Sequence, residues 1–409
     1  RKTIQKNQSS SVVKILKNVK KNGDKAVLNY EKKFSKIKIK SPKISFSKKE
    51  LRNISKKTDK KIKVAIDLAY SRIKKFHTKQ KYLSFKFKDK YKNELSYKYS
   101  AIDKVGVYVP GGTASYPSTV LMNCIPATVA GVKNIFLTTP CLDSKINPAI
   151  VYAALKCGVK EIYKTGGPHS IAALAYGTKT FEKVDKIVGP GNKFVAQAKK
   201  EVFGEVGIDM IAGPSEVSIV ADSSANPDFI AADLIAQAEH DTNSQSILIT
   251  NNKNLIRLVN ISLKYQIKKL PKKNIASKSL KNFGLAVLAN NKKNILMAIN
   301  TIAPEHLEVC TNMNNEIIKG IKNAGSIFIG KFSPEAIGDY IAGPNHVLPT
   351  TGSARFSSGL SVNDFLKRHS IIKITKTGIE RLGSSVINLA RHENLDGHAN
   401  SIKMRLKKG

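Results

Sequence analysis

Residues 104–139 read KVGVYVPGGTASYPSTVLMNCIPATVAGVKNIFLTT. The apolar run 105–109 stops at Pro110-Gly111-Gly112, a helical segment follows over 118–131, and 134–139 is a second apolar run. Strand, turn, helix, strand is the repeating unit of a parallel α/β sheet. Downstream the unit continues with a helix over 148–158, a strand over 161–165 (EIYKT), and the run 186–188 before Gly189-Pro190-Gly191-Asn192. A second series follows, with strands at 216–221, 245–250, 284–289 and 325–330 and helices at 227–239, 253–268 and 291–301. The α/β pattern therefore occurs twice, over 104–216 and 217–350. Upstream, 8–36 reads as an amphipathic helix broken near Asn22-Gly23, and 48–80 as a second helical stretch. The lysine-rich residues 81–100 read as edge strand or connector, and the chain beyond 361 as helical and charged.

A chain of 409 residues, 41% hydrophobic, is long enough for two or three packed domains. No run of 18 apolar residues exists, so no membrane span is expected. The opening residues RKTIQKNQSSS lack the apolar core of a signal peptide. The net charge of +39 raises the question of a nucleic-acid partner. The basic residues are mostly scattered lysines, with few arginines and aromatics among them, which reads as composition expressed on solvated faces. Cys124, Cys141, Cys157 and Cys310 form no C-x-x-C pair and fit free thiols in a cytoplasmic protein.

Four segments could carry chemistry. Glu305 and His306, in Ala-Pro-Glu-His-Leu-Glu, set an acid beside an imidazole after a proline that is expected to open a helix. His is the natural base near neutral pH, and the pair equally fits a helix N-terminus. Gln237 and His240, three apart, share a helical face with Asp233. Asp339 and His346 lie in a Gly/Pro-rich loop, GDYIAGPNHVLP, too apolar to be merely solvated. His392, Glu393 and His398 lie in the tail. Imidazole and oxygen donors without a thiolate cluster suit Zn²⁺ or Mn²⁺ in an open site that serves catalysis or substrate binding. The glycine turns at 110–113, 166–167, 189–192 and 212–215 flank predicted strands, where backbone can approach a phosphate or a substrate. No G-x-G-x-x-G is present, so these turns alone leave a dinucleotide site open.

The ordered segments VGVYVPGGTASYPSTVLM, KVDKIVGPGNKFV, DMIAGPSEVSIVAD, AQAEHD, APEHLE, GDYIAGPNHVLPT and HENLDGHA resemble the histidinol dehydrogenase family from about residue 10 to the C-terminus. The resemblance implies two incomplete Rossmann-like domains, one inserted in the other, with a small helical C-terminal extension. Residues 1–107 plus 217–360 would form the domain with the zinc and catalytic residues. Residues 108–216 would form the inserted NAD-side domain, and 361–409 a dimerisation tail. It implies zinc held by Gln237, His240, Asp339 and His398, and Glu305 and His306 as the catalytic pair. Ser215, Gln237, His240, His306, Asp339, His346, Glu393 and His398 would contact L-histidinol. Tyr108, Asn192 and His169, which stands where the family has a glutamine, would lie along NAD. Glu393 and His398 would reach the partner's site in a cytoplasmic homodimer with no nucleic-acid or membrane partner. The implied reaction is the oxidation of L-histidinol to L-histidine by two NAD. The same donors would also serve a metal-dependent hydrolase, which an NAD requirement would exclude.

Overall fold

The computed structural model describes residues 2–35, 44–80, 84–111, 115–141 and 145–407. Residue 36 of the first expected helix, 81–83 of the expected connector, Gly112 and Thr113 of the first glycine turn, and 408–409 of the tail lie outside the described residues.

The chain opens with α1 (Lys2–Ser35), α2 (Lys48–Lys56) and α3 (Lys60–Thr78). Helix α1 breaks its regular backbone at Gly23, where the Asn22-Gly23 pair places it. The expected single stretch over 48–80 is two helices, because Asp59 caps α3 by accepting the N–H groups of Lys61 and Ile62. Two antiparallel strands follow, β1 (Lys86–Lys88) and β2 (Glu94–Ala101).

Parallel strands then alternate with helices. These are β3 (Lys104–Tyr108), α4 (Pro117–Ala130), β4 (Asn134–Thr138), α5 (Pro148–Lys156), β5 (Glu161–Tyr163), α6 (Gly167–Tyr176), β6 (Lys186–Val188), α7 (Lys193–Val202) and β7 (Gly207–Ile208). Their sheet runs β5-β4-β3-β6-β7. A second set comprises β8 (Glu216–Ala221), α8 (Pro227–Ala238), β9 (Gln245–Thr250), α9 (Lys253–Ile267), α10 (Lys273–Phe283), β10 (Gly284–Leu288), α11 (Lys292–Ile302), β11 (His306–Cys310), α12 (Asn314–Ile318) and β12 (Ser326–Ile329). Its sheet runs β10-β9-β8-β11-β12. Both sheets place their first strand centrally and reverse direction beside it, the Rossmann-like order with a crevice at the reversal. The strands expected from the apolar runs end within two residues of those observed.

Strand β11 is the main departure. The proline before Glu305 was expected to open a helix. Instead α11 stops at Ala303, which is left-handed at φ 50°, and Pro304 is followed by a central strand between β8 and β12. Proline disfavours helical backbone at the residue before it, so α11 cannot run on through Ala303.

The chain closes with α13 (Glu335–Tyr340), β13 (Leu366–Lys373), α14 (Lys376–His392) and α15 (Asp396–Lys407). The tail beyond 361 is thus not wholly helical, since β13 pairs antiparallel with β2. Packing also groups the chain differently from the expected division. Val12, Leu16, Val19 and Val27 of α1 share a buried cluster with Ile171 and Leu174 of α6. Leu51, Ile66 and Ile73 of α2 and α3 join Leu121 and Ile125 of α4. Helices α1, α2 and α3 therefore cover the first sheet, not the second. Val347, Leu360 and Phe365 return to the same core, which seats the 341–365 segment against the first unit.

Candidate active site and metal centre

The four segments read from the sequence come together in part. Glu305 and His306 stand at the amino end of β11, next to Glu216 at the amino end of β8. Both are interior, at 5% and 4% exposure. The Glu216 N–H donates to Glu305 Oε2 at 2.9 Å, and His306 Nδ1 donates to the Glu216 carbonyl at 3.1 Å. A carbonyl can only accept, so Nδ1 carries the proton and Nε2 carries the lone pair. Nε2 has no hydrogen-bond partner among the described residues and lies 3.7 Å from Asp339 Oδ1. Burial pushes the His306 imidazole down to about 3, which keeps it a neutral acceptor. Burial, and then the Asp339 and Glu216 carboxylates, push Glu305 well above the usual carboxylate range.

Asp339 sits on α13, whose preceding Pro334 ends the loop from β12. Burial drives its carboxyl up to about 7. Gln237 lies in the last turn of α8 and is fully buried, while His240 follows the helix at the solvent edge. The ligand atoms of His240, Glu335 and Asp339 lie within 4.8 Å of one another. With its nitrogen toward Glu335, the Gln237 amide donates to Oε1 at 2.9 Å and Oε2 at 3.2 Å. Its carbonyl oxygen is then left for a cation. Nitrogen and oxygen donors converging without thiolates fit a borderline divalent ion. Glu335 escaped the sequence reading. Its signal is the four-residue spacing to Asp339 on one helical face.

His346 Nδ1 donates to the Asp339 carbonyl at 2.9 Å, and burial lowers its imidazole to about 4. His306, Asp339, His346, Phe328 and Leu348 line a cavity of about 310 Å³. Ser215 directly precedes Glu216, so it stands beside the pair. Asp233, four residues before Gln237, turns instead to Glu308 on β11. Glu393 and His398 lie at the junction of α14 and α15, and the structure does not bring them to Gln237, His240 and Asp339 within one chain.

The expected cofactor residues lie at the carboxyl edge of the first sheet. Asn192 caps α7, with Oδ1 accepting the N–H groups of Phe194 and Val195, and is exposed. Tyr108 is buried, and its hydroxyl accepts the Gly167 N–H at 3.2 Å. His169 is buried too. Its Nε2 meets Glu31 Oε2 at 2.7 Å, and Glu31 also accepts from Thr165 Oγ1. The imidazole thus faces helix α1 behind the Gly166-Gly167 turn.

Twin parallel sheets of Rossmann-like order thus frame a buried imidazole and, at the amino edge of the second, a group of side chains that could hold a metal ion. A model of histidinol dehydrogenase matches residues 1–406, and the chain belongs to that family. It is 55% identical over 401 residues to the histidinol dehydrogenase of Pelagibacter ubique, covering 98% of this chain and 93% of that one. It is 47% identical to that of Clostridium acetobutylicum, covering 99% and 95%. The solved histidinol dehydrogenase of Elizabethkingia anophelis superposes with a TM-score of 0.93 at 40% identity, covering 98% of this chain and 92% of that one.

Among the described residues no helix is long and apolar enough to cross a membrane.

Proposed function

We propose that this protein oxidises L-histidinol to L-histidine through bound histidinaldehyde, using two NAD and one zinc ion per subunit, as a cytoplasmic homodimer. The observation that carries the reading is the neutral His306, whose Nε2 lone pair is unpartnered and points to the donor group around Asp339.

Zinc would be held by Gln237, His240 and Asp339 with His398 of the partner subunit. When bound it supplies orientation of the substrate's amine and imidazole nitrogens, while NAD supplies the hydride acceptor. The protein's own residues handle the protons. His306 Nε2 takes the hydroxyl proton as hydride leaves the carbinol carbon, giving the aldehyde. Glu305 takes a proton from the water that adds to that aldehyde, while His306 returns its own proton to the former carbonyl oxygen, leaving the hydrate and a neutral imidazole. His306 then accepts the proton of the hydrate as the second hydride leaves. Two adjacent groups thus divide the proton transfers, His306 in both oxidations and Glu305 in the hydration between them. Burial is the larger cause of Glu305's raised titration and the neighbouring carboxylates the lesser, so a divalent cation beside Asp339 would offset the latter and favour the ionised base.

Glu335 keeps the Gln237 amide oriented. Asn192 and Tyr108 would lie along NAD, with His169 supporting the Gly166-Gly167 turn from behind. Ser215, His346 and Glu393, the last from the partner subunit, would line the substrate. Chelation should abolish histidinol-dependent NADH formation, and zinc should restore it. Full activity in metal-free protein would overturn the metal assignment.

A further inference from the structure

Lys199 and Asp209 form an ion pair with side chains only 2% and 1% exposed. In a chain with 69 basic residues, surface lysine costs little, but a buried ammonium is expensive unless fully bonded. Here each partner of the pair also bonds the backbone of Gly189. Lys199 Nζ donates to the Gly189 carbonyl at 3.0 Å and to Asp209 Oδ1. Asp209 Oδ2 accepts the Gly189 N–H at 2.8 Å, and Oδ1 accepts the Met210 N–H at 2.7 Å. Both polar groups of Gly189 are therefore clamped by opposite charges. Gly189 is at φ 108°, and a Cβ there would meet the Tyr108 carbonyl at 2.1 Å. The turn is thus pressed against the end of β3, where β3 and β6 adjoin and the strand order reverses.

We propose that Lys199 and Asp209 are positioning residues for the dinucleotide. They reach it only through the 189–192 turn, which they hold formed before the cofactor arrives. This rests on the NAD reading above. A preformed turn spares binding the cost of ordering it, so the brace acts on cofactor affinity and not on proton transfer.

The test uses the zinc-loaded enzyme with Asp209→Asn, Lys199→Met and Lys199→Arg. Asp209→Asn keeps shape and an acceptor for Gly189, so it remains decisive if Lys199→Met fails to fold. NADH binding is titrated by fluorescence, alongside KM for NAD, KM for histidinol, kcat and zinc content. Loss of support for a bound group costs on the order of 10- to 100-fold in affinity. The proposal expects NADH affinity and KM for NAD to worsen by about that factor. KM for histidinol and kcat at saturating NAD should stay within about twofold, and Lys199→Arg should recover part of the loss. Folded variants that bind NADH like the wild type, with only a lower Tm, would overturn the brace alone. A wild type that binds no NADH would overturn the NAD reading, and the brace with it.

Discussion

The role proposed for His306 follows from two facts about its surroundings. The Glu216 carbonyl fixes the proton on Nδ1, and burial keeps the ring neutral. Glu305 is buried beside it but titrates in the opposite direction, because burial opposes whichever form is charged. Separate roles predict separate failures. Glu305→Gln should slow oxidation of supplied aldehyde far more than the first hydride transfer from histidinol. His306→Asn should slow both by roughly 100- to 10,000-fold, the usual contribution of a positioned base. Single-turnover NADH traces with each substrate separate the two, and equal modest losses in both variants would contradict the assignment. Residue types made most of this site legible: His, Asp, Gln and Glu in polar clusters within apolar context stand out. Glu335 did not, because Ser-Pro-Glu reads as an ordinary helix start.

At the scale of elements, apolar runs marked the strands buried among aliphatic neighbours, such as 216–221 and 245–250. Strand β11 escaped because its inward side chains include His306 and Glu308, both buried polar groups. A central strand that carries chemistry loses the apolar signature by which strands are read. Helix α13 depends on a single close approach. A Cβ on Gly338 would lie 2.5 Å from Phe328 Cε1 of β12, so a larger residue must displace that ring or the short helix that seats Glu335 and Asp339. Gly338→Val should push the helix off β12 and weaken zinc affinity by about 10- to 100-fold, the range for lost outer support of ligands. Competition with a chelating dye reads this directly, and unchanged zinc affinity would show that α13 tolerates the shift.

On the scale of the whole molecule, the doubled α/β pattern was legible but the ownership of α1, α2 and α3 was not. Their helices are amphipathic, and an apolar face does not name the surface it covers. Only contacts such as Leu16 in the cluster of Leu174 decide that. The tail poses the converse case. Ile371, Ile372 and Leu389 are exposed on β13 and α14, and Glu393 and His398 stand apart from the donor group they were expected to complete. A second copy covering that face would satisfy both. His306→Asn and His398→Asn homodimers should each be nearly inactive. Mixing and refolding them together should restore about a quarter of wild-type activity, through one intact site in the half of the dimers that are mixed. No restoration would contradict donation across the interface.

The central claim is a four-electron oxidation at one site. The most direct measurement is the ratio of NADH formed to histidinol consumed by zinc-loaded enzyme, with histidine identified as product. Two NADH per histidine and no free aldehyde are expected. One NADH with released aldehyde, or no turnover in the zinc-loaded protein, would contradict the claim.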